Sequence, residues 1–266
     1  MKKKYDLILG VGNACSATQT IRAAGLQYLS FPFDWIIYHD GITAGVPDLR
    51  LRTDTLANGF DGWLDAADLR QGGFTSKNGK DIYENGKTGV IFNHDFRHGI
   101  PFDEEFAIVQ NRYARRVERL YRCLEAARKV LLVRVDRPDQ KHPSSIDDCR
   151  YAQRRLAERF PNAQFDLLLF AIEMGRQLES RRTEDLGDGI TRITFDYSVY
   201  ATDKSAALPY FKVLGSLMRP LYAVSDYRTP AERQAKRQRD LQQKFARYGV
   251  TTRWQYMLAK LFQRKR

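Results

Sequence analysis

Cysteine is scarce in this 266-residue chain: three residues, Cys15, Cys123 and Cys149, with no Cys-x-x-Cys pair. An odd, widely spaced set excludes a disulfide framework and a zinc knuckle and points to a reducing, cytoplasmic compartment. Histidine is almost as rare, at positions 39, 94, 98 and 142, so a general base has few candidates. Long apolar runs are missing, none reaching the ~18 to 20 residues a membrane-spanning helix needs. The opening "MKKKYDLILGVGNAC" has the order of a lipoprotein signal, but Asp6 interrupts it and Gly12-Asn13 stand where a cleavage site needs a leucine and a small residue. The glycine loop "GVGNAC" lacks the third glycine of a dinucleotide fingerprint and the Gly-Lys-Ser/Thr of a P-loop. No cofactor is therefore expected. Repeats and low-complexity segments are absent.

Acidic residues are outnumbered, 32 against 44 Lys and Arg, which leaves a net charge of +12. Such a balance draws a protein toward something acidic: nucleic acid, an anionic leaflet or an acidic substrate. Much of the excess lies in residues 228–266, where Glu232 and Asp240 face a long series of Lys and Arg. The end of that tail sets Trp254, Met257, Leu258, Leu261 and Phe262 among cations, the makeup of a basic amphipathic helix that packs on a domain or lies on an anionic membrane surface. Nucleic-acid binding has no motif beyond charge.

Short apolar runs of the buried, parallel-sheet kind are present: "YDLILGV", "TGVIF", "KVLLVRV", "FDLLLFAI" and "ITRITF". Helical patterns such as "SATQTIRAAGL" and "SSIDDCRYAQRRLAERF" lie between several of them. The alternation predicts an α/β fold: an open, mostly parallel, doubly wound sheet with helices on both faces, plus a basic helical C-terminal tail. The expected domains are an α/β core over residues 1–205, with a loop-rich insertion at about residues 31–87 that breaks the rhythm, and a basic helical extension over residues 206–266.

Cys15 stands where the first run meets a helix. There, unpaired backbone N–H groups and the macrodipole favour a thiolate, and the turn Gly12, Asn13 and Ser16 could supply an oxyanion hole. The competing reading is an inert small hydrophobe. A thiolate needs a base. His94 closes the strand "TGVIFNHDF", and in an open parallel sheet ligands bind beyond the carboxyl ends of strands, which places Cys15 and His94 at one edge. The same rule nominates Asp136, after "KVLLVRV", Glu173, after "FDLLLFAI", and Asp196, after "ITRITF", to orient the imidazole, with Asp136 the first choice. Asp34 and Trp35 are candidate substrate contacts, as are Asp95 and Arg134, although Asp95 should point away from His94 on an extended segment. His94 and His98 lack a third ligand cluster, so no metal is expected.

Residues 12–36, "GNACSATQTIRAAGLQYLSFPFDWI", resemble the start of a bacterial family known chiefly as putative papain-like cysteine peptidases, with a Cys, a helix, Gly-Leu and a Ser-x-Pro-Phe-Asp-Trp run. Gly25, Leu26, Ser30, Pro32, Phe33, Asp34 and Trp35 match, and "VIFNHDF" matches its Phe-x-His-Asp-Phe segment at Phe92, His94, Asp95 and Phe96. The resemblance implies a catalytic pair carried by Cys15 and His94. A papain-like core implies an antiparallel sheet, whereas the periodicity reads as parallel. The functions consistent with both are a cysteine peptidase or hydrolase, an acyltransferase of cell-surface polysaccharide synthesis peripheral to the inner membrane face, and a non-catalytic module for anionic ligands or glycans. Their partners would be a peptide, acyl or glycan substrate.

Overall fold

The apolar runs do pair side by side, though not all in one sheet. A computed structural model describes residues 1–12, 14–38, 45–76, 79–137, 142–173, 181–196, 210–252 and 254–257. Its strands are β1 (Lys3–Tyr5), β2 (Leu7–Gly10), β3 (Ile36–Tyr38), β4 (Leu69–Ser76), β5 (Lys80–Asn85), β6 (Val90–Arg97), β7 (Lys129–Asp136), β8 (Gln164–Glu173), β9 (Arg181–Asp185), β10 (Ile190–Asp196) and β11 (Tyr222–Val224). Its helices are α1 (Ser16–Ala23), α2 (Asp48–Ala57), α3 (Phe102–Ala126), α4 (Ile146–Arg159), α5 (Tyr210–Met218) and α6 (Pro230–Arg247).

The main sheet has the order β2-β7-β8-β10-β9, with β2, β7, β8 and β10 parallel and β9 antiparallel at the edge. β7 is buried along its whole length after Lys129, as a central strand covered on both sides must be. On one face Leu131, Val133, Val135, Phe170 and Ile193 meet Ile21 of α1 and Leu214 and Met218 of α5. Fully burying each such side chain is worth ~1.5–3 kcal/mol. α4 lies against β8, where Gln153 Nε2 donates to the Phe165 carbonyl at 2.8 Å.

Three expectations are corrected here. "TGVIF" is a strand, β6, but it belongs to a separate antiparallel sheet of order β3-β6-β5-β4. The stretch at residues 31–87, expected as loops and short helices, supplies α2 and the other three strands of that sheet. Bulges between Gln71 and Thr75 and between Asp81 and Tyr83 break the period-2 pattern that would have announced these strands. The third concerns the boundary at residue 205: α5 and β11 belong with the core, where Leu214 and Met218 are fully buried and Tyr222 is 4% exposed. β11 pairs with β1 in a two-stranded sheet of its own, and the chain divides instead between Ser225 and Asp226 into two compact units.

The second unit holds α6. Thr229 caps it, its hydroxyl accepting from the Glu232 N–H at 3.1 Å while the Glu232 carboxylate accepts from the Thr229 N–H at 2.8 Å. Lys244 and Arg247 fall in its last turn, where cations suit the dipole. Trp254 and Met257 are exposed. The apolar positions Leu258, Leu261 and Phe262 lie outside the described residues. Among the described residues no helix is long and apolar enough to cross a membrane.

Candidate active site around Cys15

β2 continues to pair with β7 for two residues beyond Gly10: Val11 N–H donates to Val133 O at 2.9 Å, and Val135 N–H donates to Gly12 O at 3.0 Å. The chain then turns sharply into α1. Gly12 takes φ +98° and Ala14 φ +47°, and the left-handed conformation at Ala14 costs ~1–2 kcal/mol. Cys15 follows as the N-cap of α1 in right-handed geometry. Asn13 lies outside the described residues.

What holds the strained turn is a buried charge cluster beneath it. Arg134 and Arg52 are both fully buried. Arg134 Nε donates to Asp136 Oδ1 at 2.8 Å, and its Nη1 donates to the Val11 carbonyl at 3.2 Å and also to Asp48. Arg52 Nε donates to both Asp48 oxygens at 3.1 and 2.9 Å, and its Nη2 donates to Ile36 O at 3.1 Å. Burial disfavours an ionised Asp48, but the guanidiniums of Arg52 and Arg134 outweigh it and hold the carboxyl below its ordinary range. A Cβ on Gly12 would sit 2.6 Å from Arg134 Nη1 and from Arg52 Nε, so only glycine lets the turn rest on the cluster.

Two predicted roles change accordingly. Arg134, expected as a substrate contact, is fully buried and braces the turn. Asp136, expected to orient the imidazole, is 4% exposed and engaged by Arg134 and by Ser144, whose N–H donates at 2.6 Å and whose hydroxyl donates at 3.1 Å. Ser16 is buried too, its Oγ 2.6 Å from the Tyr210 hydroxyl, so it ties α1 to α5.

Cys15 itself is partly exposed, unlike Cys123 and Cys149. Its Sγ accepts from Gln19 Nε2 at 3.0 Å. Cys15, Gln19 and Arg22 recur at four and three residues, which lines them along one face of α1. The Arg22 guanidinium stands 5.0 Å from the Trp35 ring centre, and Trp35 meets the His94 ring edge-on at 5.4 Å. Gln19 thus touches the thiol while Trp35 touches both Arg22 and the imidazole, and among the described residues no hydrogen bond joins Cys15 to His94 directly.

His94 is not at the carboxyl edge of the parallel sheet, as expected, but inside β6. Asp81 of β5 pairs with Phe96 and Tyr83 with Phe92, so residues 93–95 of β6 face the single residue Ile82. That bulge lets Asp95 join Phe92 and Phe96 on the α3 side while His94 turns to Trp35. Asp95 accepts from the Tyr113 hydroxyl at 2.7 Å and from Arg112 Nη1 at 3.1 Å, anchoring β6 to α3.

Asp34 fixes the other support of Trp35. Buried in a 3-10 turn (Pro32–Asp34), it accepts from Thr18 Oγ1 and Gln27 Nε2 at 2.9 Å each and from the Phe31 N–H at 3.1 Å. Burial raises its pKa despite these bonds. Its place is a knot between α1 and the turn that presents Trp35. Of the other histidines, His98 pairs with Asp81 at the surface, His142 is exposed, and His39 lies outside the described residues.

Sequence reasoning missed Gln19, Asp48 and Arg52. The i, i+4 spacing from Cys15 could have flagged Gln19. The partnership of Asp48 with Arg134 spans 86 residues and left no local signal. A cavity of about 850 Å³ lies elsewhere, beside Trp63, Tyr113 and Tyr121, and neither Cys15 nor His94 lines it.

Residues 6–175 match a protein family described as "Putative papain-like cysteine peptidase". An uncharacterized protein of Acanthamoeba polyphaga mimivirus is 25% identical over 161 residues, covering 53% of this chain and 67% of that protein. No solved structure matches the chain.

Proposed function

The chain belongs to the family of putative papain-like cysteine peptidases, and from that membership we propose a thiol-dependent acyl-transfer enzyme with Cys15 as nucleophile and His94 as general base. The observation that carries this reading is the position of Cys15: partly exposed, at a helix N-terminus, on a strained strand-to-helix turn. Strain of this kind persists only where surrounding structure over-determines it, and it clusters at functional sites.

In the proposed reaction the Cys15 thiolate adds to the substrate carbonyl carbon and forms an S–C bond, and backbone N–H groups of the first turn of α1 face the oxyanion. Collapse expels the leaving group, which takes its proton from the His94 imidazolium and leaves an acyl-thioester on Cys15. Water then adds, giving its proton to His94, and releases the carboxylic acid and the thiol. An amine or sugar hydroxyl in place of that water would make the same residues an acyltransferase. Product analysis with each acceptor present separates the two outcomes. The reading requires His94 to come within hydrogen-bond reach of Cys15 when substrate binds, and apo geometry is often looser than the reacting complex.

Iodoacetamide at pH 7 to 9 is expected to modify Cys15 alone in the folded chain. Cys123 and Cys149 are 5% and 0% exposed, and burial pushes the Cys149 thiol up to about 12. Peptide mass mapping reads the site directly. His94→Ala should slow the reaction at Cys15 by about a hundredfold, the low end of a removed base. Equal labelling of all three cysteines, or a Cys15 rate indifferent to His94, would count against the pair.

A further inference from the structure

A groove of about 490 Å³ opens between α1 and α5, lined by Gln19, Arg22, Ala23, Phe211, Lys212 and Arg219. Its volume falls in the range of small-ligand sites, ~300–1,000 Å³. Three of the six lining residues are cationic and none is acidic. Arg22 is partly committed, donating to Gln27 Oε1 at 2.7 Å and lying 3.6 Å from Asp34 Oδ2. Arg219 reaches across to the Ala23 carbonyl at 2.7 Å, and among the described residues neither Arg219 nor Lys212 has an ion pair. Phe211 adds an apolar wall.

The walls are fixed relative to each other. Gly215 of α5 sits so close to α1 that a Cβ there would lie 2.6 Å from the Ala23 Cβ, and the Ser16 to Tyr210 contact clamps the other end. The groove also borders the thiol: Gln19, which lines it, donates to Cys15 Sγ at 3.0 Å. A cationic groove with one aromatic wall, a single hydrogen bond away from a partly exposed cysteine, suits an organic group bearing a carboxylate or phosphate.

We infer that this groove binds the negatively charged part of the acyl substrate, so that the enzyme acts on acidic rather than neutral acyl groups. The inference rests on the reading of Cys15 as the nucleophile. It can be tested without knowing the substrate, because iodoacetate and iodoacetamide present the same alkyl iodide with and without a carboxylate.

The measurement is the rate of each reagent at Cys15 in the full chain, against the same pair of rates for free N-acetylcysteine. The ratio of iodoacetate to iodoacetamide should exceed that reference by about tenfold, the lower range for electrostatic focusing of an anion in a charged cleft. Lys212→Gln, an exposed change unlinked to packing, should bring the ratio down toward the free-thiol value, and Arg219→Gln should do the same. Arg154→Gln, which removes one exposed positive charge from α4, should leave it unchanged. A free-thiol ratio in the wild type overturns the inference, as does an equal fall in the Lys212 and Arg154 variants, which would reduce the effect to net charge. The two failures are distinguishable: a Cys15 that resists iodoacetamide sinks the catalytic reading and this inference with it, whereas a Cys15 that reacts readily but without preference sinks the groove alone.

Discussion

Cys15→Ser is expected to slow hydrolysis of an activated acyl thioester by at least ~10³-fold, about 4 kcal/mol in barrier height, while the chain stays folded. The two effects separate because the side chain is nearly isosteric and makes little of the fold. Among the described residues its side-chain hydrogen-bond partner is Gln19, and a hydroxyl can accept that bond as well as the sulfur does. A change of this kind moves stability by ~0.5 kcal/mol or less, so calorimetry should find the melting temperature within about 2 °C of wild type. Chemistry is another matter, since a neutral hydroxyl is a far weaker nucleophile than a thiolate and the substitution leaves every other part of the turn in place. Initial rates and a melt on the same preparation check both halves. A variant that kept a tenth of the wild-type rate would remove Cys15 from the reaction, and one that failed to fold would instead make it a core residue.

How much of this was legible depends on where the cause of each feature lies. β7 and β8 could be read from "KVLLVRV" and "FDLLLFAI" because a strand covered on both faces must be apolar throughout. The start of α4 was equally local: Ser145 and Asp148 form a reciprocal capping box, with the Ser145 hydroxyl accepting from the Asp148 N–H at 3.1 Å. Within the antiparallel sheet β6 was legible as a strand from "TGVIF", but its partners were hidden: β3 is only three residues long, and β4 and β5 are largely polar and bulged, so neither periodicity nor apolar content marked them. α5 was assigned to the basic tail because the charge after Arg228 dominates that half of the chain, although "YFKVLGSLM" is itself mostly apolar.

The site divides in the same way. Cys15 and the turn before it follow from the strand-to-helix junction, which is a local property. The placement of His94 inside β6 was not legible, because a bulge set by pairing with β5 decides which way residues 93–95 point. Asp136 could have been assigned better from the sequence. Arg134 and Asp136 stand two apart on one strand, hence on one face, and a guanidinium there will take the nearest carboxylate before any distant imidazole does.

Arg134→Met is expected to destabilise the protein by ~3–5 kcal/mol, the usual cost of removing one partner from a buried ionic network. Asp136 would be left with Ser144, Asp48 with Arg52 alone, and the Val11 carbonyl would lose a donor. For a chain of this size that amounts to a fall of about 10 °C in melting temperature. The pH dependence gives the effect a signature that lost packing lacks. Asp48 has a lowered pKa in the folded state, so its stabilising contribution is fully present above the unfolded carboxylate value of ~3.9 and is lost as pH falls through the folded value. The gap between wild type and Arg134→Met should therefore stay constant from neutral pH down to about 4 and narrow below it. A gap that ignored pH would assign the loss to volume rather than charge. Because Gly12 rests on the same guanidinium, the variant should also slow alkylation of Cys15 at temperatures where it remains folded. If the thiol kept its full rate in a folded Arg134→Met protein, the cluster would hold the fold without holding the nucleophile, and the strain at Ala14 would need another support.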